Sequence, residues 1–549
     1  MVPLQSGSPA AAARLPIDTR RLSWIPSLAA DYAFDHGRVA SFFAGDPTSG
    51  DAWKAAITRA QRRGAHGIAD VVDAQLRRRD APPESLRSAA ELRAPGAVAV
   101  VTGQQAGLFG GPLFTLLKAL TAIQLAERVR QEFRVPATPV FWIDAEDHDW
   151  NEVQSCGLLD ADLNLCRAAM GDPPGAGQLP VARVTLDDSV SDALKALESI
   201  LTPTEFTPAL LESLRAIYRP GAGMSDAFAR WLEHVLGPKG LVVFDASDPA
   251  AKPLAAGIFR REIEHAGDTA RLAGSMGTAL ESAGYRAQVT PAEGAVALFH
   301  LDGGRLPIRR EGDTFRWGDH AVERPALLDH VSRTPEAFSP NVLLRPLVQD
   351  TLFPTACYVA GPNELGYLAQ LGPIYEAFGV PRPLIHQRAA ATVLDANATR
   401  FLSKYDVALE SLRPQDDSVL NRLLTAQLPA SVEAEMDGAV RAVDEHMGRL
   451  AAAMPQIDAT LEGAARSTLG RMQDDLKKLH GKIIQAAKRK DETLRRQFLH
   501  ARAQAFPGGE PQERQLGFVY FLNRYGPGFV DRLAEAVPTD AGMHWLVTI

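Results

Sequence analysis

Cysteine is scarce: 549 residues hold three, Cys156, Cys166 and Cys357. A set this sparse and odd builds neither a disulfide framework nor a Cys-x-x-Cys metal knuckle, and it suits a reducing compartment. Long apolar runs are missing too. No stretch reaches the ~18 uninterrupted apolar residues of a membrane span. The small-residue stretch Pro9 to Ala13 lacks the basic start and apolar run of a signal peptide, so a cytoplasmic protein with no membrane partner is expected. Nor is there an excess of positive charge: 58 Lys and Arg stand against 66 Asp and Glu, a net charge of −8. That balance argues against nucleic acid as the main partner and leaves room for a local basic pocket. What is present is ordinary for a globular chain, 46% apolar and 23% charged, with length for roughly three or four units.

The pattern along the chain predicts an α/β fold, a Rossmann-like parallel-sheet core with inserted segments and a long helical coiled coil. Residues 1–95 read as mostly helical. The core opens at 96 and its first part runs to 280, with apolar strands at Ala97–Val101 and Thr138–Ile143 around a helix from Leu113 to about Phe133. Continuous apolar strands alternating with a helix are the pattern of a parallel sheet buried on both faces. A third strand, Leu241–Asp245, precedes a helix start at Ser247-Asp248-Pro249. Segment 281–335 alternates in short runs broken by Gly-rich turns and reads as a small β-rich insertion; the core resumes over 336–394. Over 395–510, one apolar stripe runs through Val432, Met436, Val440, Val443, Met447, Leu450 and Met454. A second runs through Met472, Leu476, Leu479, Ile483, Ala487, Leu494 and Phe498. Spacings alternating three and four are the coiled-coil period, and Pro455 between them suggests an antiparallel hairpin. Residues 511–549 are expected to return to the core.

Three segments carry candidate chemistry. In Gly103-Gln104-Gln105-Ala106-Gly107-Leu108-Phe109-Gly110-Gly111-Pro112, glycines between strand and helix permit a sharp turn and close approach to a ligand. The helix start that follows suits phosphate or carboxylate, with Lys118 one to two turns in. The turn is neither a P-loop nor a dinucleotide fingerprint. The second segment is Asp144-Ala145-Glu146-Asp147-His148-Asp149, just beyond a strand's carboxyl end, where open parallel sheets bind ligands. Its carboxylates can raise one another's pKa, hold Mg2+ or an amine, and His148 can act as a base. Too few His or Cys are spaced for zinc. The third segment contributes Arg345, Gln349 and Asp350, then Asn363, Glu364 and Tyr367, with His386 and Arg388 after the last core strand. Arg345 can bind a carboxylate or phosphate bidentately. Cys357 has no His beside it and reads as a core residue.

Together these motifs resemble the BshC family, the cysteine-adding enzymes of bacillithiol biosynthesis. The resemblance rests on Gly103-Gln104-Gln105-x-Gly107 with Gly111-Pro112 and Lys118; on Pro139-Val140-Phe141-Trp142 running into Glu146-Asp147-His148-Asp149; and on Leu344-Arg345-Pro346-x-x-Gln349-Asp350, Gly361-Pro362-x-Glu364-x-x-Tyr367 and Arg388. Gly240-Leu241-x-Val243-x-Asp245, Gln512-Glu513-Arg514 and Tyr525-Gly526 extend it over nearly the whole chain. It implies a ligase that joins the carboxyl of L-cysteine to the amine of glucosaminyl-malate, with ATP as activator and a homodimer formed through the coiled coil. On this reading Gly103, Gly107, Gly111 and Lys118 serve the nucleotide, and Glu146, Asp147, His148 and Asp149 are the catalytic cluster. Gln104, Gln105, Arg345, Gln349, Asn363, Glu364, Tyr367 and Arg388 then bind substrate. The H-x-G-H and K-M-S-K-S signatures of class I synthetases do not occur. The alternatives are a synthetase-like or nucleotidyltransferase-like enzyme with another amine or thiol precursor, or a nucleotide-binding dimeric scaffold.

Overall fold

The computed structural model describes residues 13–64, 67–458 and 460–549, so the stretch from Pro9 lies outside the described residues except for Ala13. One compact unit takes the described residues up to Val393 together with Pro511–Ile549; Leu394–Glu510 form the second.

The first unit is built on a five-stranded parallel sheet. Its strands are β1 (Val98–Gln104), β2 (Ala137–Ile143), β3 (Val242–Asp245), β4 (Thr355–Ala360) and β5 (Leu384–Gln387). Their order across the sheet is β5-β4-β1-β2-β3, and every neighbouring pair is parallel. The chain thus fills one side from β1 through β2 to β3, then returns past β1 to lay down β4 and β5. Between β1 and β4 the order reverses, and the carboxyl ends of these strands splay helices to opposite faces, leaving a crevice.

Residue alternation explains why both faces are covered. Val140 and Trp142 of β2 join one apolar cluster, and Phe141 and Ile143 join another. In β1, Ala99 and Val101 face one side while Val98 and Val100 face the other. Each such buried side chain contributes about 1.5–3 kcal/mol, so the register is strongly specified. Helix α1 (Leu113–Arg128) buries nearly every residue of its first three turns, as a helix connecting β1 to β2 must. Helix α2 (Lys252–Glu264) follows β3, with the Asp248 side chain accepting from the Ala250 N–H at its approach. Helix α3 (Arg345–Leu352) precedes β4.

A five-stranded antiparallel sheet joins Ala295–Leu301, Arg305–Glu311, Thr314–Trp317 and His320–Glu323 to Phe338–Pro340, an edge strand paired with Ala295–Leu301. The helical reading of the N-terminal region misses a strand. Ala13–Asp18 pairs antiparallel with Met543–Thr548, so the described residues nearest each end of the chain meet in one sheet. Local sequence gives no warning of a partner more than five hundred residues away.

In the second unit, α4 (Ala430–Ala453) and α5 (Leu461–Lys490) form the antiparallel hairpin. Gln473 Nε2 donates to Asp444 at 2.7 Å, and His480 meets Glu433 at 3.1 Å, which fixes the direction of pairing. Leu450, Met472 and Leu479 of the stripes remain 46%, 39% and 49% exposed. The Ala487 side chain lies outside the described residues. Among the described residues no helix is long and apolar enough to cross a membrane.

Candidate active site

At the reversal of strand order, beyond the carboxyl ends of β1, β2 and β4, lies a cavity of about 590 Å³. That is within the usual size range of a small-molecule site. Its wall carries three cations, Lys118, Arg305 and Arg345, and four carboxylates, Asp144, Asp147, Glu152 and Glu364.

The floor is set by β1. Gly103 is required there because a Cβ would sit 2.8 Å from the Trp142 carbonyl oxygen on β2. The Asp144 N–H donates to the Gln104 carbonyl at 2.9 Å, tying the exits of the two strands together. From α1, the Lys118 ammonium donates to the Gly103 carbonyl at 2.7 Å and to Gln104 Oε1 at 3.2 Å, and it pairs with Glu364 at 2.5 Å. Its three protons are thereby committed. Burial pushes the Lys118 pKa down against the pull of Glu364. Burial drives the Glu364 carboxyl upward, but Lys118, the Gly361 N–H at 2.8 Å and the Tyr358 hydroxyl at 3.0 Å together hold it below its ordinary value.

On the opposite wall, Arg345 at the start of α3 donates to Gln349 Oε1 at 3.1 Å and to the Tyr367 hydroxyl at 3.3 Å. Its Nε stands 3.8 Å from the Asp144 carboxylate. Burial raises the Asp144 pKa, with Arg345 opposing. At the mouth, Gln105 Nε2 donates to Asp147 at 2.9 Å. Arg305, reaching in from the antiparallel sheet, donates to Asp147 at 3.2 Å and to the Pro340 carbonyl at 3.0 Å, and lies over the Phe299 ring at 3.9 Å. Among the described residues Gln105 Oε1 is buried with no protein donor, an acceptor left for a bound N–H or O–H.

The residues singled out in the sequence divide accordingly. Gly103, Gln104, Gln105, Lys118, Asp147, Arg345, Glu364 and Tyr367 all line this one cavity. Gln349 sits buried behind Arg345, donating to Asp350 at 2.9 Å. Glu146 turns away: it is buried against Lys252, on the wall of a separate cavity of about 540 Å³. The His148 side chain is 44% exposed and does not line the main cavity. Asp149 accepts from the Glu152 N–H at 3.3 Å, capping a short helical turn. Asn363 is exposed outside the cavity. Arg388 is buried in a bidentate pair with Glu513, at 2.5 and 3.0 Å.

At the start of α1, beside Gly107 and Gly111 where a phosphate cradle is expected, the structure places the C-terminal segment. The Leu113 N–H is taken by the Leu516 carbonyl at 2.8 Å, and Pro112 forms an antiparallel bridge with Gly517. Gly110, at φ +95°, has Phe518 ring carbons 2.3 Å from where its Cβ would be. Gly110 thus serves close packing of the C-terminal segment, while a Cβ on Gly107 would meet the Gly111 Cα at 2.9 Å. Nothing local in the sequence signals this, because the occupant lies four hundred residues downstream. Arg305 had no motif to betray it, while Tyr358 stood in the third segment and Asp144 in the acidic run without a distinct role. Among the described residues no group of three or more His, Cys, Asp or Glu is placed to hold a metal ion.

Sheet order, a charged cavity at the reversal point and an attached helical hairpin define a Rossmann-like α/β enzyme with a coiled-coil unit. Comparison with known proteins sharpens the class. A family model described as bacillithiol biosynthesis BshC, N-terminal Rossmann-like domain, matches residues 15–389, and the corresponding C-terminal coiled-coil domain matches 391–549. The chain is 35% identical to a protein of Salinibacter ruber over 96% of this chain and 97% of the relative. It is 34% identical to one of Koribacter versatilis, covering 86% and 88%, and 31% identical to one of Geobacillus thermodenitrificans, covering 95% and 98%. All three carry the name "Putative cysteine ligase BshC". The chain belongs to the BshC family of bacillithiol biosynthesis and is a ligase.

Proposed function

We propose that this ligase joins the carboxyl of L-cysteine to the amine of glucosaminyl-malate as an amide, the last step of bacillithiol biosynthesis, with ATP activating the cysteine carboxyl. Direct condensation of a carboxylate with an amine is uphill in water, so an activated acyl group is required. ATP supplies that activation when bound. The observation that carries the reading is the mixed charge of the cavity at the strand reversal. Arg305 and Arg345 suit the carboxylates of the two substrates and the phosphates of the nucleotide. The Asp144 side suits an amine.

The start of α1 does not fit phosphates, since Leu516 and Gly517 cover it. The nucleotide's phosphates would be held by Arg305 and Arg345, and Mg2+ would arrive on the phosphates themselves. The name of the relatives supports cysteine as substrate. The exposed Leu450, Met472 and Leu479 along the hairpin support a homodimer formed through the coiled coil.

The test is incubation of the full chain with ATP, L-cysteine and glucosaminyl-malate, followed by mass spectrometry. The expected result is amide product with one ATP converted to AMP or ADP per turnover. Product without nucleotide consumption overturns the activation scheme, and no product overturns the substrate assignment. Sedimentation equilibrium reads the dimer, and a monomer at micromolar concentration refutes that part.

A further inference from the structure

Four carboxylates line the cavity, and two of them are held by several groups of the protein. Glu364 is held by Lys118, Tyr358 and the Gly361 N–H. Asp147 accepts from Gln105, Arg305 and the His148 N–H. Glu152 is exposed at the mouth, where the Gln105 amide favours its charged form. Asp144 differs: among the described residues its carboxylate receives no hydrogen bond, and its nearest cation, Arg345 Nε, stands 3.8 Å away. Its side chain is still 36% accessible, and that access is to the cavity it lines. Its backbone is fixed by the bond to Gln104, so the carboxylate projects from the rigid end of β2.

A carboxylate held on a rigid strand end, open to a ligand cavity and unsatisfied by the protein, is placed to exchange protons with whatever binds there. The groups facing it are Arg345, Arg305 and Lys118, which favour its charged form, and Asp147, which disfavours it. Burial outweighs the cations and keeps its proton affinity above that of an ordinary carboxylate, the direction a base needs.

We propose that Asp144 is the general base of amide formation. The proposal rests on the ligase reading above. As the neutral substrate amine attacks the activated cysteine carbonyl, the new N–C bond forms. The C–O bond to the phosphoryl group breaks, and its electron pair leaves on the phosphate oxygen. The surplus proton on nitrogen passes to the Asp144 carboxylate and from there to water. His148, half-exposed and outside the cavity wall, has no part in this step.

The test separates the two half-reactions in the full chain. Activation of cysteine by ATP without the amine is read as cysteine-dependent scrambling of bridging oxygen label in ATP, and amide formation is read by mass spectrometry. Asp144→Asn is expected to keep scrambling within about threefold, and to keep its unfolding midpoint because no hydrogen bond to the carboxylate is lost. It should lose on the order of 10²- to 10⁴-fold in amide turnover. Asp144→Glu, which restores a carboxylate, should recover part of that turnover. Amide turnover within about fivefold of the parent in Asp144→Asn overturns the proposal, as does equal loss of scrambling and amide formation. No product from the parent protein refutes the ligase reading and the proposal with it. A parent that makes product beside a fully active Asp144→Asn refutes the proposal alone.

Discussion

Glu513→Gln should unbalance the first unit more than its position near the end of the chain suggests. Glu513 and Arg388 are 5% and 3% exposed, and the guanidinium meets the carboxylate through two bonds, at 2.5 and 3.0 Å. The same carboxylate accepts from the Ala391 N–H at 3.2 Å. Glutamine keeps the shape and one acceptor, but it leaves a buried guanidinium without its counter-charge. Breaking a buried pair from one side costs about 3–5 kcal/mol, against a total stability of roughly 5–15 kcal/mol. Urea unfolding followed by tryptophan fluorescence measures it, Trp545 being buried in the strand Met543–Thr548 of the same unit. At a slope of about 3 kcal/mol per molar, the midpoint falls by about 1 M or more. Removing both charges, in Arg388→Met with Glu513→Leu, should recover much of the loss, since apolar replacement of a buried pair is often near neutral. The pH dependence has a defined sign. Burial pushes the Glu513 carboxyl up, but Arg388 holds it below its ordinary value of 4.5. Its contribution is therefore full above pH 4.5 and is lost as pH falls below it. A Glu513→Gln protein within 1 kcal/mol of the parent at neutral pH would refute the reasoning, and with it the role of the pair in seating the C-terminal segment over α1.

Other consequences can be measured alongside. Glu262 of α2, buried and accepting from Thr269 and from the Ala297 N–H at 2.8 Å, has its pKa raised from 4.5 to about 7 by burial. Its stabilisation is full below pH 4.5 and lost as pH rises to about 7, a fall of about 3 kcal/mol that Glu262→Gln should flatten in unfolding at varied pH; equal slopes would refute it. Gly110→Ala meets both a positive φ and the Phe518 ring, so a loss above about 3 kcal/mol is expected by chemical denaturation, and tolerance would place Phe518 elsewhere. Arg305→Ala removes the link from the antiparallel sheet to Asp147. It should raise the KM of a carboxylate-bearing substrate about tenfold or more, whereas His148→Ala should leave turnover within about threefold; the reverse ranking would reassign the site.

Much of this was readable locally. Buried strands at β1 and β2 follow from apolar runs that satisfy both faces of a parallel sheet. The hairpin follows from stripes at the 3.5-residue period. The polar residues at strand ends mark a cavity because a parallel sheet opens there. Gln104, Gln105, Asp147, Arg345, Glu364 and Tyr367 were legible as a set for that reason. Asp144 and Arg305 were not. A side chain's partners depend on where distant elements bring them, and Glu364 and Asp147 are paired with cations from other segments, Lys118 and Arg305.

By itself, then, the sequence determined the parallel core, the coiled coil and the strand ends where polar side chains gather. These depend on periodicity and composition within windows of a few turns. Tertiary structure alone decided which of those side chains share a cavity. It seated the C-terminal segment on the start of α1, joined Arg388 to Glu513, turned Glu146 toward Lys252 and brought Arg305 over Asp147. Each of these is a contact between segments far apart in sequence, and its energy comes from burial and charge pairing that no local pattern encodes.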